Sequence, residues 1–183
     1  MLKHRIFIAI NFPADLKKAL IFYQKKWAEL PVRWTKGENL HLTLAFIGYV
    51  GDSEVLGILE ESKRGTEGHH PFSINFNRIC LGPPDKAPRM FWVEGEKNRN
   101  LAILRYGLEK ELLGVQSEKE IREFKPHITL GRIKTFEWRQ LKKRPNIEEN
   151  INLVCPVNSI EIMESQLKPG GPDYFILESI NLE

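Results

Sequence analysis

One short pattern of residues (histidine, apolar, threonine, leucine, small) occurs twice in this chain of 183 residues. The copies are residues 41–45 (HLTLA) and 127–131 (HITLG), one in each half of the sequence. Successive side chains of a β-strand point to opposite faces. The histidine and threonine of each copy therefore share one face, together with the small fifth residue, which leaves room for a molecule against the strand. The duplication predicts two related lobes around a shared cleft.

The composition is that of an ordinary globular protein. Hydrophobic residues make up 42% and charged residues 28% of the chain, which excludes disordered and fibrous classes. The cysteines, Cys80 and Cys155, are isolated, so neither a disulfide framework nor a zinc knuckle is expected. The apolar run near the start is too short for a signal or a membrane span. We therefore expect a cytoplasmic protein without membrane contact, and its net charge of +3 permits an anionic partner without requiring one.

Hydrophobic periodicity predicts mixed strands and helices. The expected strands are residues 5–11, 39–48, 72–81, 90–94 and 124–133, followed by others near 151–154, 159–163 and 174–180. The expected helices run from Pro13 to Pro31, from Asp52 or Ser53 to about Lys63, and along a leucine stripe from Leu101 that Gly114 ends. A charged loop is expected after this third helix. A basic, partly helical segment is expected after the second motif.

The elements lack the regular alternation of a doubly wound sheet. This irregular order predicts an α+β fold with antiparallel sheets flanked by helices. The cleft needs strands from both halves, and we expect the last strands to return to the first lobe. Residues 1–183 are therefore interpreted as a single bilobal domain with one motif in each half.

Two imidazoles on either side of one centre suit in-line phosphoryl transfer. A neutral histidine can take a proton from water while a protonated one gives a proton to the leaving oxygen. The hydroxyls of Thr43 and Thr129 can hold the non-bridging oxygens. This scheme requires neither a metal nor a covalent intermediate, and the sequence does not say which of His41 and His127 is the acid.

Zinc binding is the alternative chemistry for a pair of histidines. No further histidine or glutamate is spaced as an additional ligand, however, and the two threonines would have no role. His4 precedes the first strand, and His69 and His70 lie in a polar loop. We expect these three to be solvated surface residues.

At the two motifs the sequence resembles the two-histidine (2H) phosphoesterases, specifically the group of RNA 2′,3′-cyclic phosphodiesterases that are LigT-like and are also known as 2′-5′ RNA ligases. The resemblance covers nearly the whole chain, through residues 5–10 (RIFIAI), 33–34 (RW), 38–40 (ENL), 124–126 (FKP), 166–167 (QL) and 169–174 (PGGPDY).

The resemblance implies a bilobal, pseudo-twofold fold with both motifs on strands facing a central cleft. It also implies metal-independent hydrolysis of a terminal 2′,3′-cyclic phosphate of RNA to a 2′-phosphomonoester, without a cofactor, and reversible 2′–5′ joining of RNA ends. On the family pattern His41 is the proton donor and His127 the proton acceptor. Thr43 and Thr129 bind the phosphate.

Two further positions match the family pattern for substrate binding. Arg132 follows the second motif, but strict alternation places it on the face opposite His127. It reaches the cleft only if the strand ends or bulges at Gly131. Phe7 is a candidate for stacking on a nucleobase, with plain core packing as its alternative.

The segment from Arg132 to Arg144 carries six basic residues and one acidic residue, with Phe136 and Trp138 between them. It could follow an RNA backbone, or it could be a solvated helix face. The expected partner is RNA with a 2′,3′-cyclic phosphate end, tRNA-derived RNA being one candidate. A small nucleotide-derived cyclic phosphate is the alternative substrate, and a non-catalytic RNA-binding module is the alternative class. No apolar surface helix is evident, so we expect a monomer.

Overall fold

The computed structural model describes residues 3–84, 86–115 and 124–183, which form nine strands and four helices. The strands are β1 (Lys3–Asn11), β2 (Val32–Trp34), β3 (His41–Gly51), β4 (Phe72–Gly82), β5 (Met90–Gly95), β6 (His127–Ile133), β7 (Glu148–Val157), β8 (Ser159–Lys168) and β9 (Gly171–Asn181). The helices are α1 (Ala14–Lys26), α2 (Asp52–Thr66), α3 (Arg99–Leu113) and α4 (Thr135–Arg139). Most of the loop expected after Gly114 lies outside the described residues.

The strands form two antiparallel sheets, which confirms the predicted α+β class. The first sheet has the order β3-β1-β8-β9 and the second the order β2-β6-β5-β4-β7. The first sheet is thus built from both ends of the chain, and β8 and β9 return to it as expected. The second sheet also takes β2 and β4 from the first half of the sequence, and β5 from its middle. The sheets therefore do not correspond to the two halves of the chain, although each carries one motif.

Alternation along β1 separates two groups of apolar side chains. Ile6, Ile8 and Ile10 belong to the large hydrophobic core, which includes residues of both sheets. Phe7 and Ala9 point to the other face of the first sheet, in a small cluster with Met163. The face that carries the motif histidine is called the cleft face of each sheet from here on.

The helix ends follow local signals. Pro13 precedes the first residue of α1, and Gly114, with φ of +67°, follows α3, as predicted. Helix α1 ends at Lys26 rather than near Pro31, because the N–H of Trp27 bonds to the carbonyl of Gln24 in a tighter turn. Strand β2 was not predicted, since three residues are too few to show a periodicity. None of the described helices is long and apolar enough to cross a membrane.

The small fifth residue of each motif packs against other parts of the protein rather than against a ligand. A Cβ on Gly131 would lie 2.6 Å from Cγ1 of Val32 and 2.9 Å from Cε3 of Trp34. Ala45 is buried in the large core. The prediction that this position leaves room for a bound molecule is therefore wrong: the space is filled by β2 in one sheet and by the core in the other.

We expect Gly131→Ala to destabilise the protein by about 1–3 kcal/mol, because the methyl group must displace β2 from β6. Chemical denaturation followed by circular dichroism measures the change. Gly170→Ala is the matched control, since a Cβ there meets no atom within 4 Å. Equal stabilities of the two variants would contradict the close packing of β2 on β6.

Candidate active site

The two motifs begin the strands β3 and β6. The second and fourth residues of each motif, Leu42 and Leu44 in one and Ile128 and Leu130 in the other, are buried in the core. The histidines and threonines are partly exposed on the opposite side. The alternation predicted for the first three residues of each motif is therefore observed.

His41 is held in one tautomer by its neighbours. Its Nδ1 lies 2.7 Å from the carbonyl oxygen of Asn39, which can only accept, so Nδ1 carries the proton. In the neutral ring Nε2 then accepts a hydrogen bond from the Thr43 hydroxyl at 3.0 Å. The rings of Phe7 and Tyr174 flank the imidazole at centroid distances of 5.1 and 5.2 Å. This packing fixes the ring, with Nε2 next to the motif threonine.

His127 repeats this arrangement in the second sheet. Its Nδ1 faces the carbonyl oxygen of Lys125, again two residues earlier, at 3.4 Å. The ring lies against Trp92 with a centroid distance of 4.2 Å. Both motifs thus use a backbone carbonyl to keep the proton on Nδ1 and leave Nε2 for chemistry.

A β-bulge interrupts the first motif strand. Thr43 lies opposite Ala9, and Ala45 lies opposite Ile8, so Leu44 has no partner on β1. Because Ile8 faces the core, Ala45 faces the core as well. The extra residue reverses the alternation after the fourth position of the motif.

The second motif strand has a bulge at the same position. Thr129 lies opposite Trp92 and Gly131 lies opposite Phe91, which leaves Leu130 without a partner on β5. The register therefore shifts immediately before Gly131, as the placement of an arginine in the cleft required.

The bulges bring the sixth residue of each motif to the cleft face. Nη1 of Arg132 lies 3.8 Å from the Met90 sulfur, and the Thr129 hydroxyl lies 4.0 Å from the same atom. Arg132 and Thr129 therefore share a face, although simple alternation would separate them. Phe46 is the corresponding residue of the first motif and lies opposite Phe7.

Phe7 and Phe46 differ in exposure. Phe7 is 3% exposed and lies beneath His41 and Tyr174, whereas Phe46 is 67% exposed. Their ring centroids are 6.2 Å apart. Phe7 thus contacts the site from below, and Phe46, which the sequence analysis did not select, presents its ring to solvent. Stacking of a base on Phe7 stays a prediction.

Polar contacts join the two motif strands through the segment before β3. The Thr35 hydroxyl donates to the Thr129 carbonyl at 2.9 Å. The buried Gln24 amide donates to the carbonyls of Thr35, at 2.8 Å, and Leu130, at 2.9 Å. The same segment ends at Asn39, whose carbonyl oxygen accepts the hydrogen bond from Nδ1 of His41. The position of one motif is thereby tied to that of the other.

Burial lowers the pKa of both motif histidines below 6.5. For His41 the Asn39 carbonyl opposes this effect and the charge of Lys17 adds to it. For His127 the Lys125 carbonyl and the Glu94 carboxylate oppose it, while Arg105 adds to it. Both imidazoles are therefore mainly neutral at pH 7 in the free protein.

Glu94 is a buried carboxylate on β5, opposite His127. Burial raises its pKa, but hydrogen bonds from Lys125 and Arg78, both 2.5 Å long, outweigh burial and lower the pKa overall. The carboxylate therefore stays charged. Its negative charge favours the protonated form of the neighbouring imidazole.

His4 is not the solvated residue that was expected. Its ring nitrogens contact Asp52 at 2.8 Å and Glu164 at 2.7 Å. Hydrogen bonds to Asp52 and Glu164 raise its pKa above 6.5. His4 therefore joins β1, α2 and β8 away from the cleft face.

The cations of the basic segment, from Arg132 to Arg144, are exposed. Among the described residues, no carboxylate lies within 4.0 Å of its six cations, which are Arg132, Lys134, Arg139, Lys142, Lys143 and Arg144. Phe136 is exposed, but Trp138 packs in the core against Phe91. Only one of the two aromatic residues is thus available to a ligand.

Comparisons with known proteins agree with the motifs. A family model described as "LigT like Phosphoesterase" matches residues 10–92. A Thermotoga maritima protein named RNA 2′,3′-cyclic phosphodiesterase is 31% identical over 188 residues, which cover 98% of this chain and 96% of the relative. A Methanocaldococcus jannaschii protein of the same name is 27% identical over 176 residues, which cover 95% and 98% of the two chains.

Solved structures show the same fold. The crystal structure of TT0787 of Thermus thermophilus matches with a TM-score of 0.81 and 28% identity over 97% of both chains. Escherichia coli LigT, solved with phosphate, matches with a TM-score of 0.76 and 23% identity over 100% of this chain and 99% of that one. The resemblance inferred from the motifs is confirmed.

We expect Glu94→Gln to lower the pKa of His127 further, because the substitution removes the negative charge that favours the imidazolium. The pKa of His41 should stay unchanged. Titration of the imidazole Cε1–H signals by NMR measures both values. Glu96→Gln is the control, because Glu96 is an exposed carboxylate two residues from Glu94. An unchanged pKa of His127 in Glu94→Gln would show that the carboxylate does not act on this ring.

Proposed function

The chain belongs to the LigT-like phosphoesterase family, and from this membership and the paired histidines we propose that it hydrolyses 2′,3′-cyclic phosphate ends of RNA to 2′-phosphomonoesters. The observation that carries the proposal is the repeated arrangement of His41 and His127. In both, Nδ1 faces a backbone carbonyl. Nε2 of His41 lies beside the Thr43 hydroxyl, and Thr129 shares a strand face with His127 in the second motif. The curated relatives named above support RNA as the substrate class.

The proposed reaction is a single in-line displacement at phosphorus. Nε2 of His127 takes a proton from water as the water oxygen bonds to phosphorus. The bond from phosphorus to O3′ breaks, and Nε2–H of His41 gives its proton to O3′. The products are a 2′-phosphomonoester and a free 3′-hydroxyl, and proton exchange with solvent restores both rings. Each positioned acid or base typically contributes roughly 10²–10⁴ in rate.

The surrounding charges support His127 as the base and His41 as the acid. His127 gains a positive charge during the reaction, and the nearby Glu94 carboxylate stabilises that charge. His41 loses a positive charge, and the nearby Lys17 ammonium favours that loss. Because both pKa values are lowered in the free protein, an anionic substrate is needed to raise the protonated fraction of His41.

The remaining polar groups bind the phosphate in this proposal. The hydroxyls of Thr43 and Thr129 donate to non-bridging oxygens, and Arg132 lies on the same face as Thr129 to balance the developing negative charge. Phe7 holds the His41 ring from below, and the exposed Phe46 offers the ring face on which a base could stack.

Several finer expectations remain part of the proposal. Reversible 2′–5′ ligation uses the same groups, with a ribose 5′-hydroxyl in place of water. The single bilobal domain is supported by the core shared between the sheets. The exposed cations after β6 support contact with RNA. Monomeric state, cytoplasmic location and tRNA-derived substrates stay predictions.

The test is turnover of an RNA oligonucleotide with a 2′,3′-cyclic phosphate end in the presence of EDTA. We expect His41→Ala and His127→Ala each to lose roughly 10²–10⁴ in kcat, because each removes one proton-transfer group. A phosphatase specific for 3′-phosphate should not act on the product.

His70→Ala is the matched control. His70 lies outside the cleft, so this variant should retain full activity. The proposal fails if the wild-type protein gives no turnover, or if both motif variants keep wild-type rates.

A further inference from the structure

Three arginines, Arg5, Arg33 and Arg132, lie on the cleft faces of the two sheets. Arg33 lies directly opposite Arg132 on neighbouring strands of the second sheet, so both point to the same face. Arg5 precedes Phe7 by two residues on β1 and shares its cleft face, in the first sheet. Burial raises the pKa of the Tyr174 hydroxyl, and the positive charges of Arg132, Arg5 and Arg33 oppose that rise.

None of the three has an acidic partner in the described ranges. No carboxylate there lies within 4.0 Å of Arg5, Arg33 or Arg132, while other arginines, such as Arg78 and Arg105, are paired. Like charges directly opposite each other on neighbouring strands are unfavourable. Such a cluster is expected where an anionic ligand supplies the missing charge.

Two hydroxyls accompany these arginines. Tyr174 lies opposite Ser165 in the pair of β8 and β9, so the two side chains share a face. Ser165 is 7% exposed, and its hydroxyl has no hydrogen-bond partner among the residues that the structure describes. The ring of Tyr174 is 5.2 Å from that of His41. The Ser165 hydroxyl therefore lies on the same face as Tyr174, the residue that contacts His41.

The reaction itself leaves two of the arginines without a role. Arg132 contacts the Met90 sulfur together with Thr129, and the proposed mechanism assigns both residues to the scissile phosphate. Arg33 lies beside Arg132 on the neighbouring strand β2, and Arg5 lies on the cleft face of the first sheet, two residues from Phe7. A polynucleotide carries a second phosphate next to its terminal cyclic phosphate, and this group would supply the negative charge that Arg5 and Arg33 lack in the described structure.

We propose that Arg5 and Arg33, with the hydroxyls of Tyr174 and Ser165, bind the phosphate on the 5′ side of the terminal nucleotide. This assignment rests on the proposed function and identifies the groups that distinguish an RNA chain from a mononucleotide. Tyr49 lies opposite Arg5 and is exposed, which provides a ring face beside this phosphate for the preceding base.

The test compares kcat/KM for three substrates: 2′,3′-cyclic AMP, the same nucleotide with a 5′-phosphate, and the dinucleotide ApA with a 2′,3′-cyclic end. The wild-type protein should prefer the second and third over the first by roughly ten- to a hundredfold, as expected for charge-assisted hydrogen bonds. Arg5→Gln and Arg33→Gln should each reduce this preference at least several-fold, and the double variant should bring it close to one.

Arg99→Gln is the control, since Arg99 is an exposed arginine at the start of α3 and should keep the wild-type preference. A methylphosphonate in place of the internucleotide phosphate removes the charge from the substrate. It should lower wild-type kcat/KM but should have little effect on the double variant. The wild-type half of this comparison does not depend on the stability of any variant.

Each result bears on a different claim. Equal turnover of all three substrates by the wild-type protein would overturn the phosphate subsite and leave the proposed function intact. So would an undiminished preference in the double variant. A preference for the 5′-phosphorylated mononucleotide without one for the dinucleotide would overturn RNA as the source of this phosphate and favour a small metabolite. Absence of turnover with every substrate would overturn the proposed function itself and, with it, this assignment.

Discussion

The β-bulges at Leu44 and Leu130 decide which side chains of the two motif strands reach the cleft. A regular strand would place the histidine, the threonine and the fifth residue on one face. The extra residue instead turns the fifth side chain into the protein and the sixth into the cleft. Arg132 reaches the same sulfur atom as Thr129 only because of this reversal. The phosphate-binding groups proposed here therefore depend on a backbone irregularity repeated in both sheets.

The environments of the two histidines are similar in hydrogen bonding and different in charge. Both rings keep the Nδ1 proton on a backbone carbonyl, so either Nε2 could transfer a proton. A carboxylate acts on His127 and an ammonium group acts on His41, and these charges favour opposite roles. In the proposed mechanism, related strands with unlike neighbours thus provide an acid and a base from the same residue type.

Local patterns were sufficient to predict the α+β class, most strand positions and the shared face of each histidine and threonine. They could not predict the bulges, because Leu44 and Ala45 are both apolar and suit either face. The burial of Phe7 depends on Tyr174, which comes from the far end of the chain. The small residue at Gly131 was misinterpreted because β2, which fills the space, is too short to recognise. Each miss arises from contacts between strands distant in sequence.

The convergence of both motifs on one phosphate is the central claim, and a crystal structure with bound adenosine 2′-monophosphate tests it most directly. The account predicts that Nε2 of His41 and Nε2 of His127 each lie within hydrogen-bond distance of the same phosphate group, with both motif threonine hydroxyls donating to it. A phosphate held by one motif alone, with the other histidine out of reach, would contradict a shared reaction centre.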